Sequence, residues 1–270
     1  MTLLTVENMS ISLTGSGRPL TEGISFSLGK GDRLGLIGES GSGKSITALA
    51  LLGLLPGSMR VTGRIVLAGT EVTNSSESEL VRIRGSKATM VFQEPLSALD
   101  PLMRVGRQIA GPLKLHRGLV GDASQREIRA LLHRVQLPEP GRIAASFPHE
   151  LSGGQRQRIA IAMALACKPE ILIADEPTTA LDVTVQGEIL SLLDELVTEE
   201  GMSLIFITHD LPVISRVVRR LLVMQDGRIV EDGSTAGIIA SPQHAETKKL
   251  IEAARLVTVV PYVSERRGAK

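Results

Sequence analysis

Apolar and polar residues alternate loosely from Leu3 to Leu13, which predicts a strand closed by a Gly15-Ser16-Gly17 turn. Ile24-Ser25-Phe26-Ser27-Leu28 alternates strictly, the mark of a half-buried strand, and Gly29-Lys30-Gly31-Asp32 then turns the chain. Arg33 to Ile37 is a short apolar strand running into a glycine-rich loop and a helical segment, Lys44 to Leu55, which Pro56-Gly57 stops. Strand character returns at Met59 to Leu67 and at Lys87 to Phe92. Between about Glu94 and Lys168 the pattern is helical, with polar loops such as Gly118 to Ser124, and predicts an inserted lobe. Strand-like runs resume at Ile171 to Ala174, Leu204 to Ile207 and Leu221 to Met224, and a long amphipathic helix, Val183 to Glu199, separates the first two. After Ile229 the pattern predicts a helical tail ending in a polar, frayed Ser264 to Lys270. Strands alternating with helices imply an α/β fold whose sheet is largely parallel and covered on both faces.

Length and composition narrow this. A chain of 270 residues fits one large domain or a core with an inserted lobe. Hydrophobic residues at 43% and charged residues at 22% are ordinary for a soluble globular chain. Thirty Lys+Arg against 29 Asp+Glu leave a net charge of +1, so no global field points to nucleic acid or an anionic membrane. Aromatics are confined to Phe26, Phe92, Phe147, Phe206 and Tyr262, too few for base-stacking or sugar-binding platforms. The single cysteine, Cys167, excludes an internal disulfide framework and a cysteine-ligated metal centre, and fits a reducing compartment. No apolar run approaches the roughly 18 residues of a membrane span, and Met1-Thr2-Leu3-Leu4 opens no secretory signal. A cytosolic chain is expected. Glycine, at 27 residues, directs attention to phosphate loops.

Gly38-Glu39-Ser40-Gly41-Ser42-Gly43-Lys44-Ser45 satisfies G-x-x-x-x-G-K-[ST] between a predicted strand and a predicted helix. Glycines let consecutive backbone N–H groups turn inward around an anion, and the helix N-terminus adds about half a positive charge. Lys44 can reach terminal phosphates, and the Ser45 hydroxyl can ligate Mg²⁺. A glycine-rich turn opening an ordinary helix would explain the glycines but not the lysine and hydroxyl together. Leu151-Ser152-Gly153-Gly154-Gln155, ahead of the helical Arg156 to Cys167, is a second place where small residues and free amides meet a helix N-terminus. A serine-capped helix would account for Ser152 and no more. Ile171-Leu172-Ile173-Ala174-Asp175-Glu176 is a buried strand ejecting carboxylates at its C-terminal end, where open α/β sheets bind ligands.

With the phosphate loop, L-S-G-G-Q is similar to the ATP-binding cassette (ABC) ATPases. That resemblance implies a P-loop NTPase core with a mixed, largely parallel sheet, an antiparallel β subdomain and an inserted helical subdomain. It places one domain over 1–270: a nucleotide-binding core in 1–93 and 168–231, a helical subdomain in 94–167, and a helical tail in 232–270. It implies that ATP and Mg²⁺ are bound, with Gly38, Glu39, Ser40, Gly41, Ser42, Gly43, Lys44 and Ser45 around the phosphates. Ser152, Gly153, Gly154 and Gln155 of one subunit would close over the γ-phosphate held by a second cassette in a head-to-tail dimer. Asp175 suits the Mg²⁺ shell with Ser45, and Glu176 resembles the general base that polarises the attacking water. Gln93 matches the glutamine that senses metal and water. His209, between Thr208 and Asp210 after an apolar strand, matches the histidine that holds water and γ-phosphate in line. Lys44, Gln93, Glu176 and His209 are thus the expected catalytic set, and Ser45, Gln93 and Asp175 the expected metal set. Ala180-Leu181-Asp182 resembles the loop that touches the opposite subunit, while Asp182 can equally cap the next helix. His116, His133, His149 and His244 lack metal-ligand spacing and read as surface or structural.

One departure stands out. The family's aromatic adenine platform near the end of the first strand is missing from Ser10-Ile11-Ser12-Leu13, which leaves Leu13 as the aliphatic rest for the base. Phe92 to Ile109 and Asp175 to Gln186 look most like ATPase subunits of bacterial dipeptide, oligopeptide and nickel importers, and Ser241-Pro242-Gln243-His244 resembles their tail. A C-terminal cysteine cluster common in that branch is absent. The resemblance implies two integral-membrane permeases, a second cassette (identical or related), an extracytoplasmic solute-binding protein, no nucleic acid, and a place on the cytoplasmic face of the inner membrane. The segment after Gln93 is the expected permease contact. An assembly ATPase in a soluble complex is the competing reading. The apolar Leu256 to Tyr262 reads as a tail packed on the core or as a partner contact.

Overall fold

The computed structural model describes residues 1–94, 98–179 and 181–258. Two sheets form its frame. The first is antiparallel, in the order β2-β1-β4-β5, from β1 (Thr2–Leu13), β2 (Pro19–Gly29), β4 (Met59–Leu67) and the short β5 (Thr70–Glu71). The second contains β3 (Arg33–Ile37), β6 (Ala88–Val91), β7 (Ile171–Asp175), β8 (Ser203–Ile207), β9 (Arg220–Gln225) and β10 (Arg228–Ser234), in the order β10-β9-β3-β8-β7-β6. All its pairings are parallel except β9 with β10. The mixed, largely parallel sheet and the separate antiparallel subdomain are as expected.

Successive side chains of the parallel strands enter two different cores, as the two-residue period of a strand requires. Leu172 and Ala174, Leu204 and Phe206, and Leu221 and Val223 face a core shared with the helical lobe. Their neighbours Ile171 and Ile173, Ile205 and Ile207, and Leu222 and Met224 face a core shared with the antiparallel sheet. With no solvent face, these strands read as continuous apolar runs. That is why their position was legible and their pairing was not.

The phosphate-loop helix α1 spans Lys44–Leu51, shorter than the predicted Lys44 to Leu55. Gly53 adopts a left-handed φ of +62°. Its amide and that of Leu54 fold back on the carbonyls of Ala50 and Leu49, so the glycine ends the helix before the proline is reached. Helix α2 (Glu77–Ile83) was not predicted; a capping box between Ser76 and Glu79 starts it. The inserted lobe holds α3 (Val105–Arg117), α4 (Gly121–Arg134), α5 (Pro140–Ala145) and α6 (Gly153–Leu165). Helices α7 (Val183–Glu199) and α8 (Leu211–Val217) follow β7 and β8.

The expected helical tail after Ile229 begins later. The chain remains β-strand to Ser234, turning out of β9 through Asp226 and Gly227 at φ +47° and +76°, the backbone of a tight Asp-Gly hairpin. Strand β10 lies at the sheet edge with charged Arg228, Glu231 and Asp232 along it, which hid its strand character. Helices α9 (Thr235–Ala240) and α10 (Ala245–Thr258) come only after it. Among the described residues no helix is long and apolar enough to cross a membrane. Residues 95–97 of the segment after Gln93, Ala180, residues 259–262 of the apolar tail and Ser264 to Lys270 lie outside the described residues.

Candidate functional site

Four neighbouring strands, β3, β8, β7 and β6, run parallel, so their carboxyl ends share one edge of the sheet. There they deliver, in that order, the Gly38–Ser45 loop, His209, the Asp175-Glu176 pair and Gln93. Chain order scatters these residues; sheet order gathers them. They line one open cleft of about 840 Å³, together with Ile46, Thr179 and Leu250. Only Asp175 and Ser42, more deeply set, do not reach the cleft wall.

The loop conformation depends on its glycines at two places. Gly43 takes φ +100° immediately before α1, a region that L side chains rarely adopt. A Cβ on Gly38 would lie 2.2 Å from the Met224 carbonyl oxygen, so only glycine lets the loop pass this close to β9. No side chain caps the N-terminus of α1, which leaves its first amides to an anion in the cleft. Lys44 is bent back into the loop, its Nζ donating to the carbonyls of Gly38 and Glu39, each at 2.8 Å. Burial pushes the Lys44 ammonium below its usual range, opposed by the charges of Glu176 and Asp175.

Asp175 is 5% exposed, has the Ser45 hydroxyl beside it, and its Oδ1 has no hydrogen-bond partner among the described residues. Burial raises its pKa, and the neighbouring Glu176 charge adds to this against Ser45 and Lys44. An unpaired buried carboxylate oxygen beside a hydroxyl suits a hard divalent cation. Among the described residues no three His, Cys, Asp or Glu side chains cluster as a ready metal cage. A cation at Asp175 and Ser45 would therefore complete its shell with ligand and water oxygens.

Glu176 sits on a backbone bend at φ +45°, its amide donating to the Ile207 carbonyl on β8 at 2.9 Å. Its Oε1 lies 3.0 Å from His209 Nδ1, and its Oε2 accepts the Thr179 hydroxyl at 2.8 Å. Burial works against the ionised form, but the hydrogen bonds from His209 and Thr179 and the charges of His209 and Lys44 outweigh it. The carboxylate is held below the usual glutamate range and is therefore ionised, an unprotonated acceptor, at neutral pH.

The second loop stands elsewhere. Ser152 and Gly153 are exposed, and neither they nor Gly154 or Gln155 line the cleft. Ser152 caps α6: its Oγ accepts the Gln155 amide at 3.3 Å while Gln155 Oε1 accepts the Ser152 amide at 3.0 Å. Gly154 is needed for packing, since a Cβ there would lie 2.8 Å from Val185. Asp182 caps α7 by accepting the Val185 amide at 3.0 Å. Leu13, at the end of β1, is likewise absent from the cleft wall. A Glu176, Lys44 and Gln93 site thus forms within one chain, and Ser152 to Gln155, Asp182 and Leu13 remain outside it.

Thr179, Ile46 and Leu250 escaped the sequence reading. Thr179 had a signal, a hydroxyl three residues beyond an acid at a strand end. Leu250 comes from α10, which packs on α8 behind His209, and nothing local announces that contact. His149 and His244 are structural as expected: His149 stacks on Phe147, and His244 Nδ1 accepts the Glu246 amide at the start of α10.

Residues 21–179 match the family model described as ABC transporter. The chain is 45% identical over 255 residues to the peptidoglycan transport ATP-binding protein YejF of Agrobacterium fabrum, covering 93% of this chain and 47% of that protein. It is 44% identical over 253 residues to the dipeptide transport ATP-binding protein DppD of Bacillus subtilis, covering 92% and 76%. Identity to the glutathione import ATP-binding protein GsiA of Escherichia coli is 43% over 275 residues, covering 98% and 43%. The chain thus spans about half the length of YejF and GsiA. Among solved structures, the dimeric post-hydrolysis state of the ATP-binding cassette MJ0796 with ADP and Pi superposes with a TM-score of 0.76 at 29% identity, covering 86% of this chain and 99% of that one. CbiO1 of Clostridium perfringens, part of the CbiONQ transporter complex, gives 0.74 at 28%, covering 94% and 95%.

Proposed function

The chain belongs to the ABC transporter family, and from that premise we propose that it is the ATP-hydrolysing subunit of an importer for short peptides or a related small solute. The observation that carries this reading is the Glu176–His209 pair, 3.0 Å apart, in the same cleft as Lys44 and its phosphate loop. YejF, DppD and GsiA, named for peptidoglycan, dipeptide and glutathione transport, favour a peptide-like cargo. The chain would work at the cytoplasmic face of the inner membrane with two permeases and a solute-binding protein.

ATP would enter with its phosphates over the Gly38–Ser45 loop, and Lys44 would exchange the Gly38 and Glu39 carbonyls for phosphate oxygens. Ser45 and Asp175, with Gln93 beside them, would hold Mg²⁺, which supplies charge neutralisation on the phosphates. Glu176 takes a proton from water as the water oxygen attacks the γ-phosphorus. The bond from that phosphorus to the β–γ bridging oxygen breaks, and ADP leaves with phosphate as the second product. His209 fixes the Glu176 carboxylate and the line of attack.

Exposed Ser152 and Gly153, remote from the chain's own cleft, support a composite site in which a second cassette supplies this loop from above. The MJ0796 cassette, dimeric with ADP and Pi, is the structural precedent for two cassettes around nucleotide. Glu176→Gln tests the proposal: ATP should remain bound and dimers accumulate while hydrolysis falls at least a hundredfold. Unchanged turnover would remove Glu176 from its role. Purification from detergent extract should recover permeases, and recovery of soluble partners alone would favour an assembly ATPase.

A further inference from the structure

We infer that Thr179 is a positioning residue for hydrolysis: its hydroxyl fixes the Glu176 carboxylate from the side opposite His209. The inference rests on the proposed ATPase reading and names a residue that neither the motif nor the comparisons assign. Glu176 Oε2 accepts Thr179 Oγ1 at 2.8 Å while Oε1 meets His209 Nδ1 at 3.0 Å, so each carboxylate oxygen is tied to a different element. Two such ties remove the rotation of the terminal carboxylate, a broad and otherwise weakly restrained torsion.

Thr179 itself is well placed to act as an anchor. Its amide reaches back to the Glu176 carbonyl at 3.4 Å, closing a short turn, and the Leu181 amide bonds to the Thr178 carbonyl at 3.1 Å. Thr178 is buried and its Oγ1 accepts Gln186 Nε2 of α7 at 3.2 Å. The turn is therefore braced against α7, whereas Thr179 is exposed and its hydroxyl contributes nothing to the core. Loss of that hydroxyl frees the base without unfolding the chain.

Thr179→Val keeps the shape and removes the donor. Its kcat should fall roughly ten- to a hundredfold, the range of one hydrogen bond to a charged group, with KM for ATP within about twofold. Thr179→Ser should recover most of the rate. In a Glu176→Gln background, Thr179→Val should cause no further loss, because the group it positions is already gone. A Thr179→Val chain at wild-type kcat, a serine variant as slow as valine, or an equal further loss in the Glu176→Gln background would each overturn the inference. Wild-type turnover by Glu176→Gln would instead overturn the proposed function, so the two failures are separable.

Discussion

Glu176 and His209 stand 33 residues apart in the chain, yet Oε1 of one and Nδ1 of the other are 3.0 Å apart. The contact exists because β7 and β8 are adjacent parallel strands that end side by side. His209→Ala removes one of the two ties on the carboxylate. Hydrolysis should fall roughly a hundredfold or more while a non-hydrolysable ATP analogue still binds. A variant with near-normal kcat would detach His209 from the reaction.

The same contact sets a pH dependence. Despite burial, His209 and Thr179 hold the Glu176 carboxylate below the ordinary glutamate range. Glu176 is therefore ionised throughout neutral pH, and as the proposed base it should lose its contribution only as pH falls through that lowered value. In His209→Ala the acid limb of the kcat profile should move upward toward ordinary glutamate. An acid limb unmoved by the substitution would show that another group sets it.

Much of this site was legible before the fold. The glycine loop, the apolar Ile171–Ala174 run ending in two acids, and Thr208-His209-Asp210 each carry their chemistry in neighbouring residues. Leu250 and Thr179 do not, because their roles arise from α10 folding back over α8 and from a turn at the end of β7. Strand β10 was hidden for the reason edge strands often are: its solvent-facing charges broke the apolar pattern that betrayed β7 and β8. Glu77–Ile83 announced itself only through the Ser76 and Glu79 capping box.

Gly38 faces a steric limit. A Cβ there would lie 2.2 Å from the Met224 carbonyl oxygen, a backbone atom that cannot swing away. Gly38→Ala should cost about 1–3 kcal/mol of stability and weaken nucleotide binding by displacing the loop. Thermal melting and analogue titration would measure both, and wild-type values in each would contradict the geometry.

The C-terminal helix is tied by one carboxylate. Glu231 on β10 accepts the Gln243 and His244 amides at 3.0 and 3.1 Å and the Thr247 hydroxyl at 2.5 Å. Burial disfavours its ionised form, but these bonds hold its pKa below the usual range. Its stabilising effect is thus complete above the ordinary glutamate pKa and disappears as pH falls through the lowered one. Glu231→Gln should mimic that loss at neutral pH. Faster hydrogen exchange at Gln243 and His244 is the expected sign; unchanged protection would remove Glu231 as the tie.

Among the described residues the cleft wall contains no Phe, Tyr or Trp, and the first strand ends in aliphatic Leu13. Without an aromatic platform, about 1–3 kcal/mol of base stacking is missing. GTP should be hydrolysed within about tenfold of the ATP rate in direct competition. A strong ATP preference would reveal another contact that reads the base.

Mixing two inactive variants tests the composite site most directly. Lys44→Ala should disable a chain's own phosphate loop, and Ser152→Arg the loop that the proposed composite site takes from its mate. A mixed pair would carry both lesions in one site and leave the other intact. ATPase activity should therefore reappear on mixing, though each variant alone is silent. Silence in the mixture beside an active wild-type chain, or full activity in Ser152→Arg alone, would contradict hydrolysis between two cassettes.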